Sequence, residues 1–169
     1  MHIENMTINI GRDNPMFRAM MAAILSQPAG DDSAPKPERS QTNPPRIGEY
    51  WAGQGGIYAG VARGRDGDAD YHLILAEATP EQDFAWQAAL DHAKTIEADG
   101  HKDFAVPTRW ESALLYANLQ DKLNTDYWHW TSTQYSENDA WVQLFSYGFQ
   151  RSFSKSYERR CRFVRRSVL

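Results

Sequence analysis

The stretch Asp103-Phe104-Ala105-Val106-Pro107-Thr108-Arg109-Trp110-Glu111 decides how the middle of this chain folds. Phe104 to Val106 is a short apolar run, and Pro107 stops it because proline cannot donate to a continuing ladder. Thr108 and Glu111 then have the spacing of a capping box, in which the hydroxyl caps the helix N-terminus and the carboxylate returns to the cap residue's own N–H. Leu115, Leu119 and Leu123 follow at four-residue spacing, the buried stripe of the helix so started.

Upstream, apolar runs at Ile57 to Ala62 and Tyr71 to Ala76 flank a polar segment containing Asp66-Gly67, which predicts a β-hairpin. Thr79-Pro80-Glu81-Gln82 then offers an N-cap, a first-turn proline and a capping-box glutamine. Gly100 stands where a helix would stop, so a helix is expected between them with Trp86, Leu90, Ala93 and Ile96 on one side. Downstream, Tyr127 to Leu169 sets Trp128, Trp130, Trp141, Phe145, Phe149, Phe153 and Phe163 among Ser, Thr, Gln and Arg. Breaks at Ser136 to Asp139 and at Gly148 make this an antiparallel sheet. The order hairpin, helix, helix, sheet is α+β.

Before this domain, which opens at about residue 46, the segment 27–45 holds five prolines among polar residues and reads as a semi-extended linker. Residues 1–26 read as a short strand, Met6 to Ile10, and a helix, Met16 to Ser26, too small to bury a core alone and therefore a docking segment for a partner or another copy. Met16 to Leu25 is too short to span a membrane and carries Arg18, and no basic leader precedes it, so neither membrane insertion nor export by a signal peptide is expected.

The chain has 169 residues and a formal net charge of −4, enough for one domain with a core and an argument against a nucleic-acid partner. Six tryptophans each offer a large area to bury, and most are expected in the core. The last twenty residues are basic, with Arg151, Lys155, Arg159, Arg160, Arg162, Arg165 and Arg166 answered locally only by Glu158; the expectation is a solvated face of alternating strands. Cys161, the only cysteine, cannot form an intrachain disulfide and reads as a buried thiol.

Candidate chemistry is sparse. The five histidines occur without a nucleophile motif, so no catalytic residue is expected. Asp66, Asp68 and Asp70 alternate as in a calcium loop with Glu77 at the twelfth position, but Tyr71 replaces the glycine needed at the sixth, which favours a solvated turn. Glu137-Asn138-Asp139 could present oxygens to a lectin calcium but lacks a partner Glu-Pro-Asn type motif. No metal or other cofactor is therefore expected. Gln134, Tyr135, Ser136, Glu137 and Asn138 form a polar loop, and Tyr147, Phe149, Arg151 and Phe153 alternate beyond it. Such residues give rigid contact area and adaptable hydrogen bonds, so together they are the expected ligand patch.

Six stretches occur in one order: Gly55-Gly56-Ile57-Tyr58, His72-Leu73-Ile74-Leu75-Ala76, Asp103 to Glu111, Trp130-Thr131-Ser132-Thr133, Ala140-Trp141 and Arg160-Cys161-Arg162-Phe163-Val164-Arg165. Together they resemble the C-terminal domain of the Lcl collagen-like adhesin family, a branch of the C-type-lectin-like fold that also includes phage tropism-determinant proteins and formylglycine-generating enzymes. The resemblance covers about three-quarters of the chain. It implies two helices packed on antiparallel sheets, with Trp130 and Trp141 as large rings beneath the sheet and Thr108 and Glu111 in a structural cap. The enzyme branch uses a pair of cysteines, which a chain with Cys161 alone lacks. The family's extra cysteine near the first helix is absent, and Trp128-His129 adds bulk before Trp130. The implied function is recognition: a virion protein, on a phage tail or head, that binds a host-surface glycan or protein, docks on other virion proteins through residues 1–26 and is a homo-oligomer. The alternative is a structural decoration protein that uses the same fold only for protein contacts.

Overall fold

The expected hairpin is present, and its turn explains it. In a computed structural model of the protein, which describes residues 43–169, strand β2 (Gly56–Ala62) pairs antiparallel with β3 (Tyr71–Ala76). Asp66 and Gly67 have φ of 56° and 97°, and the Asp68 N–H donates to the Arg65 carbonyl at 2.9 Å. Two consecutive positive φ values make the mirror-image turn whose twist matches that of the strands. The expected docking segment 1–26 and all of the 27–45 linker before Asn43 lie outside the described residues.

A two-residue strand β1 (Tyr50–Trp51) pairs with the outer edge of β2. The C-terminal strand β7 (Val164–Val168) pairs antiparallel with β3, so the first sheet has the order β1-β2-β3-β7. Gly56 is required where it stands, since a Cβ there would lie 2.1 Å from the Leu75 carbonyl oxygen across the ladder. Register shifts in β2 between Tyr58 and Gly60, leaving Ala59 as a bulge. The bulge's carbonyl accepts from Asn118 Nδ2 at 2.8 Å, which satisfies a group inside a fully buried residue.

Helix α1 (Trp86–Ala93) is shorter than its sequence signals suggest, and Thr79 does not cap it. Phe84 exchanges both backbone hydrogen bonds with Arg159, at 2.9 and 3.0 Å, and the Trp86 N–H donates to the Lys155 carbonyl. Long-range pairing therefore holds residues 79–85 out of the helix and buries the Phe84 ring. At the far end, Gly100 belongs to a second Asp-Gly turn. Ala98 and His101 exchange both backbone bonds, Asp99 and Gly100 both have positive φ, and the Asp99 carboxylate accepts from the Gly53 and Gly55 N–H groups. The expected face survives: Ala89 and Ala93 are buried, with Trp86, Leu90 and Ile96 packed against the same core.

Helix α2 (Arg109–Leu119) carries the complete capping box: Glu111 N–H to Thr108 Oγ1 at 3.2 Å and Thr108 N–H to Glu111 Oε2 at 2.7 Å. Leu115 and Leu119 are fully buried, and Leu123, beyond a 3₁₀ turn (Gln120–Lys122), completes the stripe. This helix packs on the first sheet through Ala59, Leu73, Leu75 and Val164.

Strands β4 (Trp128–Gln134), β5 (Asp139–Leu144) and β6 (Gln150–Ser154) form a separate antiparallel sheet in sequence order. The aromatic-rich final third thus divides between two sheets. One face of the second sheet, with Trp130, Ala140 and Val142, forms a core with α1, Phe104 and Phe163, and the buried Trp130 indole donates to the Phe84 carbonyl at 2.8 Å. Trp141 alternates onto the opposite face and is half-buried, so it is not the core ring that the resemblance implies. His129, the bulk before Trp130, is buried against Phe145 and donates from Nδ1 to the Tyr127 carbonyl at 2.8 Å. Burial and the guanidinium groups of Arg162 and Arg160 push its pKa down to about 3.

The basic C-terminal run is not simply a solvated face. Arg165 is buried, donating to Asp103 at 2.7 Å and to Gln54, while Arg160 lies 3.0 Å from Asp83. Partners distant in sequence supply the missing negative charge. Cys161 is buried, and burial raises its thiol pKa further out of reach of reactivity.

Candidate binding groove

The expected ligand patch does not come together. Gln134 ends β4, and Tyr135, Ser136, Glu137 and Asn138 form the tight β4–β5 turn, where the Ser136 hydroxyl accepts from Asp139 N–H and donates to its carboxylate. Lys155 Nζ fastens that turn by donating to the Ser136 and Glu137 carbonyls. Tyr147 and Phe149 lie at the β5–β6 turn, at the other end of β5, which is six residues or about 17 Å away. Both rings are exposed, 71% and 61%, and stack with centroids 5.8 Å apart. Arg151 is exposed on β6. Phe153 is half-buried against the Trp130 core and edge-on to Trp128.

A concave surface lies elsewhere among the described residues. Where the first sheet runs past the N-terminus of α2, the two layers part around a groove of about 900 Å³. The hairpin loop from Arg63 to Asp70 overhangs it, Trp110 and Leu114 of α2 form one wall, and Arg166 to Val168 at the end of β7 form another.

Its floor is a closed polar network. Glu111 Oε1 accepts from the Tyr71 hydroxyl at 2.8 Å and from Arg166 Nε at 2.7 Å. Oε2 accepts from Thr108 N–H at 2.7 Å and from Arg166 Nη2 at 2.8 Å. Burial alone would raise the Glu111 pKa, but the bidentate Arg166 and the two further donors outweigh it and hold the carboxyl below its ordinary range. Four hydrogen bonds fill the carboxylate's capacity, so Glu111 is a fixed anion rather than a poised acid or base. Arg166 has a side chain 38% exposed and presents its remaining edge towards the groove.

Trp110 is the one tryptophan left largely open, 47% exposed. The Arg65 guanidinium sits 3.8 Å from its ring centroid and that of Arg109 5.8 Å away. Arg109 in turn lies 3.7 Å over Trp141, whose edge meets Tyr135 at 5.3 Å. A strip of alternating rings and guanidinium groups, Arg65, Trp110, Arg109, Trp141 and Tyr135, thus runs from the groove to the β4–β5 turn. Gln150 fixes Arg109 by accepting from its Nε at 3.1 Å and donating to its carbonyl. Tyr135 alone of the expected patch joins this strip. Asp66 and Asp68 line the groove's mouth, while the Asp70 carboxylate accepts from the Gly64 N–H.

Sequence reasoning assigned Glu111 a structural cap and missed its position on the groove floor. The signal was available: Glu111, Leu115 and Leu119 share the four-residue spacing of the buried stripe, so a carboxylate there needs a cation. Nothing local identified Arg166 as that cation. Among the described residues no three His, Cys, Asp or Glu side chains converge to hold a metal ion, and no helix is long and apolar enough to cross a membrane. No family model matches the chain, and no curated protein does.

Proposed function

We propose that this chain is a non-enzymatic recognition module whose residues 46–169 form a C-type-lectin-like domain related to the C-terminal domain of Lcl adhesins. Its ligand is a host-surface glycan or protein, held in the groove. It acts on a virion, where residues 1–26 dock on other virion proteins and several copies engage the host together. Two helices on antiparallel sheets, the Thr108–Glu111 box and the buried Trp130 are all consistent with that relationship.

The observation that carries the reading is an open groove with a half-exposed aromatic wall over a floor whose charges already satisfy one another. Trp110 is held by Arg65 and, at longer range, Arg109, so a ligand meets a surface whose ordering cost is already met. The carboxylate's four hydrogen bonds leave the Glu111–Arg166–Tyr71 network without a member poised to transfer a proton, and neither a histidine nor a cysteine lines the groove, which favours binding over catalysis. The test is binding of the full-length protein to a glycan array and to a panel of whole bacterial cells. Binding that Trp110→Ala abolishes is expected; a wild-type protein that binds no cell and no glycan overturns the reading.

The decoration alternative is favoured by one observation, the exposed Tyr147–Phe149 pair, which a neighbouring protein could cover. Under it, Tyr147→Ser with Phe149→Ser would remove the protein from particles, and the wild-type protein would bind no host cell.

A further inference from the structure

Strand β6 lies at the edge of its sheet and pairs with β5 from Gln150 to Ser154 without a register shift. The Lys155 N–H donates to the Asn138 carbonyl and the Leu144 N–H to the Phe149 carbonyl, each at 2.9 Å. Backbone groups alternate sides along a strand, so Arg151 and Phe153 bond to β5 while Gln150, Ser152 and Ser154 turn theirs outward. The Ser154 carbonyl accepts from the Tyr157 N–H. The Ser154 N–H and both backbone groups of Gln150 and Ser152 have no hydrogen-bond partner among the described residues. Two other strand edges are closed by backbone. On β4, Trp130 and Ser132 donate to the Arg160 and Pro107 carbonyls, and on β2, Tyr58 accepts from the Gly48 N–H and donates to the Glu49 carbonyl.

Proline and bulges are the usual devices that stop an edge from pairing, and β6 has neither. Its one charge, Arg151, selects partner and register instead. If a second β6 is laid antiparallel with outward residues opposite one another, a twofold axis that pairs more than one residue of β6 falls at Arg151, Ser152 or Phe153. An axis at Arg151 sets two guanidinium groups face to face, and one at Phe153 sets Arg151 opposite Lys155; directly opposed like charges are destabilising. An axis at Ser152 pairs the whole strand and sets Arg151 opposite Phe153 of the other copy. That is the contact the Arg151 guanidinium already makes within its own strand, 5.2 Å from the Phe153 ring centroid.

We propose that β6 is a self-association surface, which pairs edge to edge with β6 of a second copy about a twofold axis at Ser152 and joins the two β4-β5-β6 sheets into one. Ser152 exchanges both backbone bonds with its counterpart, and each Ser154 N–H donates to the Gln150 carbonyl of the other copy. The pairing is independent of residues 1–26 and of what the groove binds.

The experiment is disulfide trapping of the full-length protein carrying Ser152→Cys in a glutathione redox buffer, where the buried Cys161 does not compete. Opposed residues that exchange both bonds have Cα atoms ~5.5 Å apart, within the range a disulfide spans. Ser154→Cys is the control, because its counterpart lies four residues farther along the other copy, roughly 13 Å away. Ser152→Cys is expected to give at least about tenfold more disulfide-linked dimer than Ser154→Cys. Ser152→Pro removes an N–H that bonds nothing within its own protomer, so it should still melt cooperatively and should lower the average mass in sedimentation equilibrium. Should that variant fail to fold, the two cysteine variants decide the matter. Equal trapping in both, or none from Ser152→Cys, would overturn the proposal, the second result leaving the edge to a strand of a different protein. An unchanged mass in folded Ser152→Pro would overturn it equally.

Discussion

The groove and the β5–β6 turn both show aromatic rings to solvent, but only the groove holds its ring in place. Trp110 stands on the first turn of a capped helix, beside two guanidinium groups and next in sequence to Glu111, whose carboxylate accepts four hydrogen bonds. Tyr147 and Phe149 stack on one another at the tip of a hairpin. The difference is one of preorganisation: exposed aromatic area is common, whereas aromatic area fixed beside satisfied charges marks a site.

The largest effect should come from the groove floor. Glu111→Ala removes the cap and leaves a partly exposed Arg166 without its partner, and should destabilise the protein by about 2–4 kcal/mol in urea unfolding. Replacing both residues, Glu111→Leu with Arg166→Met, should recover most of that loss. Recovery would show that the pair sets geometry more than stability, and its absence would make the floor a stability element. Next in size, Asn118→Ala strands the buried Ala59 carbonyl of the β2 bulge and should cost about 1–3 kcal/mol by the same measurement.

His129 gives an effect that is absent at neutral pH and grows as the solution is acidified. Its folded pKa of about 3 lies below the unfolded value of ~6.5. Above pH 6.5 neither state is protonated. As the pH falls towards 3 the unfolded chain gains a proton that the folded chain refuses, so stability falls by up to about 1.4 kcal/mol per pH unit. His129→Gln should flatten that slope in urea titrations at a series of pH values. Smallest of all, Tyr147→Ser and Phe149→Ser should change stability by no more than about 0.5 kcal/mol; a larger loss would mean that the turn is better anchored than its exposure implies.

Much of the fold was legible because its signals were local. The Asp66-Gly67 hairpin and the Thr108 to Glu111 box specify their own geometry through one turn and two reciprocal hydrogen bonds. Where long-range pairing competed, local signals lost: Phe84 bonds to Arg159, so the Thr79 cap was never used. The second Asp-Gly pair, at Asp99 and Gly100, made the same mirror-image turn as the first, although its position after a helical pattern suggested a helix stop. The groove was less legible, because its walls come from residues 61–71, 108–114 and 166–168, which the β3–β7 pairing and the packing of α2 on the first sheet bring together. Asp66, Asp68 and Trp110 were each visible in the sequence, but their shared location was not.

The most direct test of the account is a comparison of host-cell binding by full-length Trp110→Ala and by the Tyr147→Ser, Phe149→Ser double variant, each first confirmed to melt like the wild type. The account predicts that the first variant loses binding and the second keeps it. Loss in the double variant with binding intact in Trp110→Ala would contradict it.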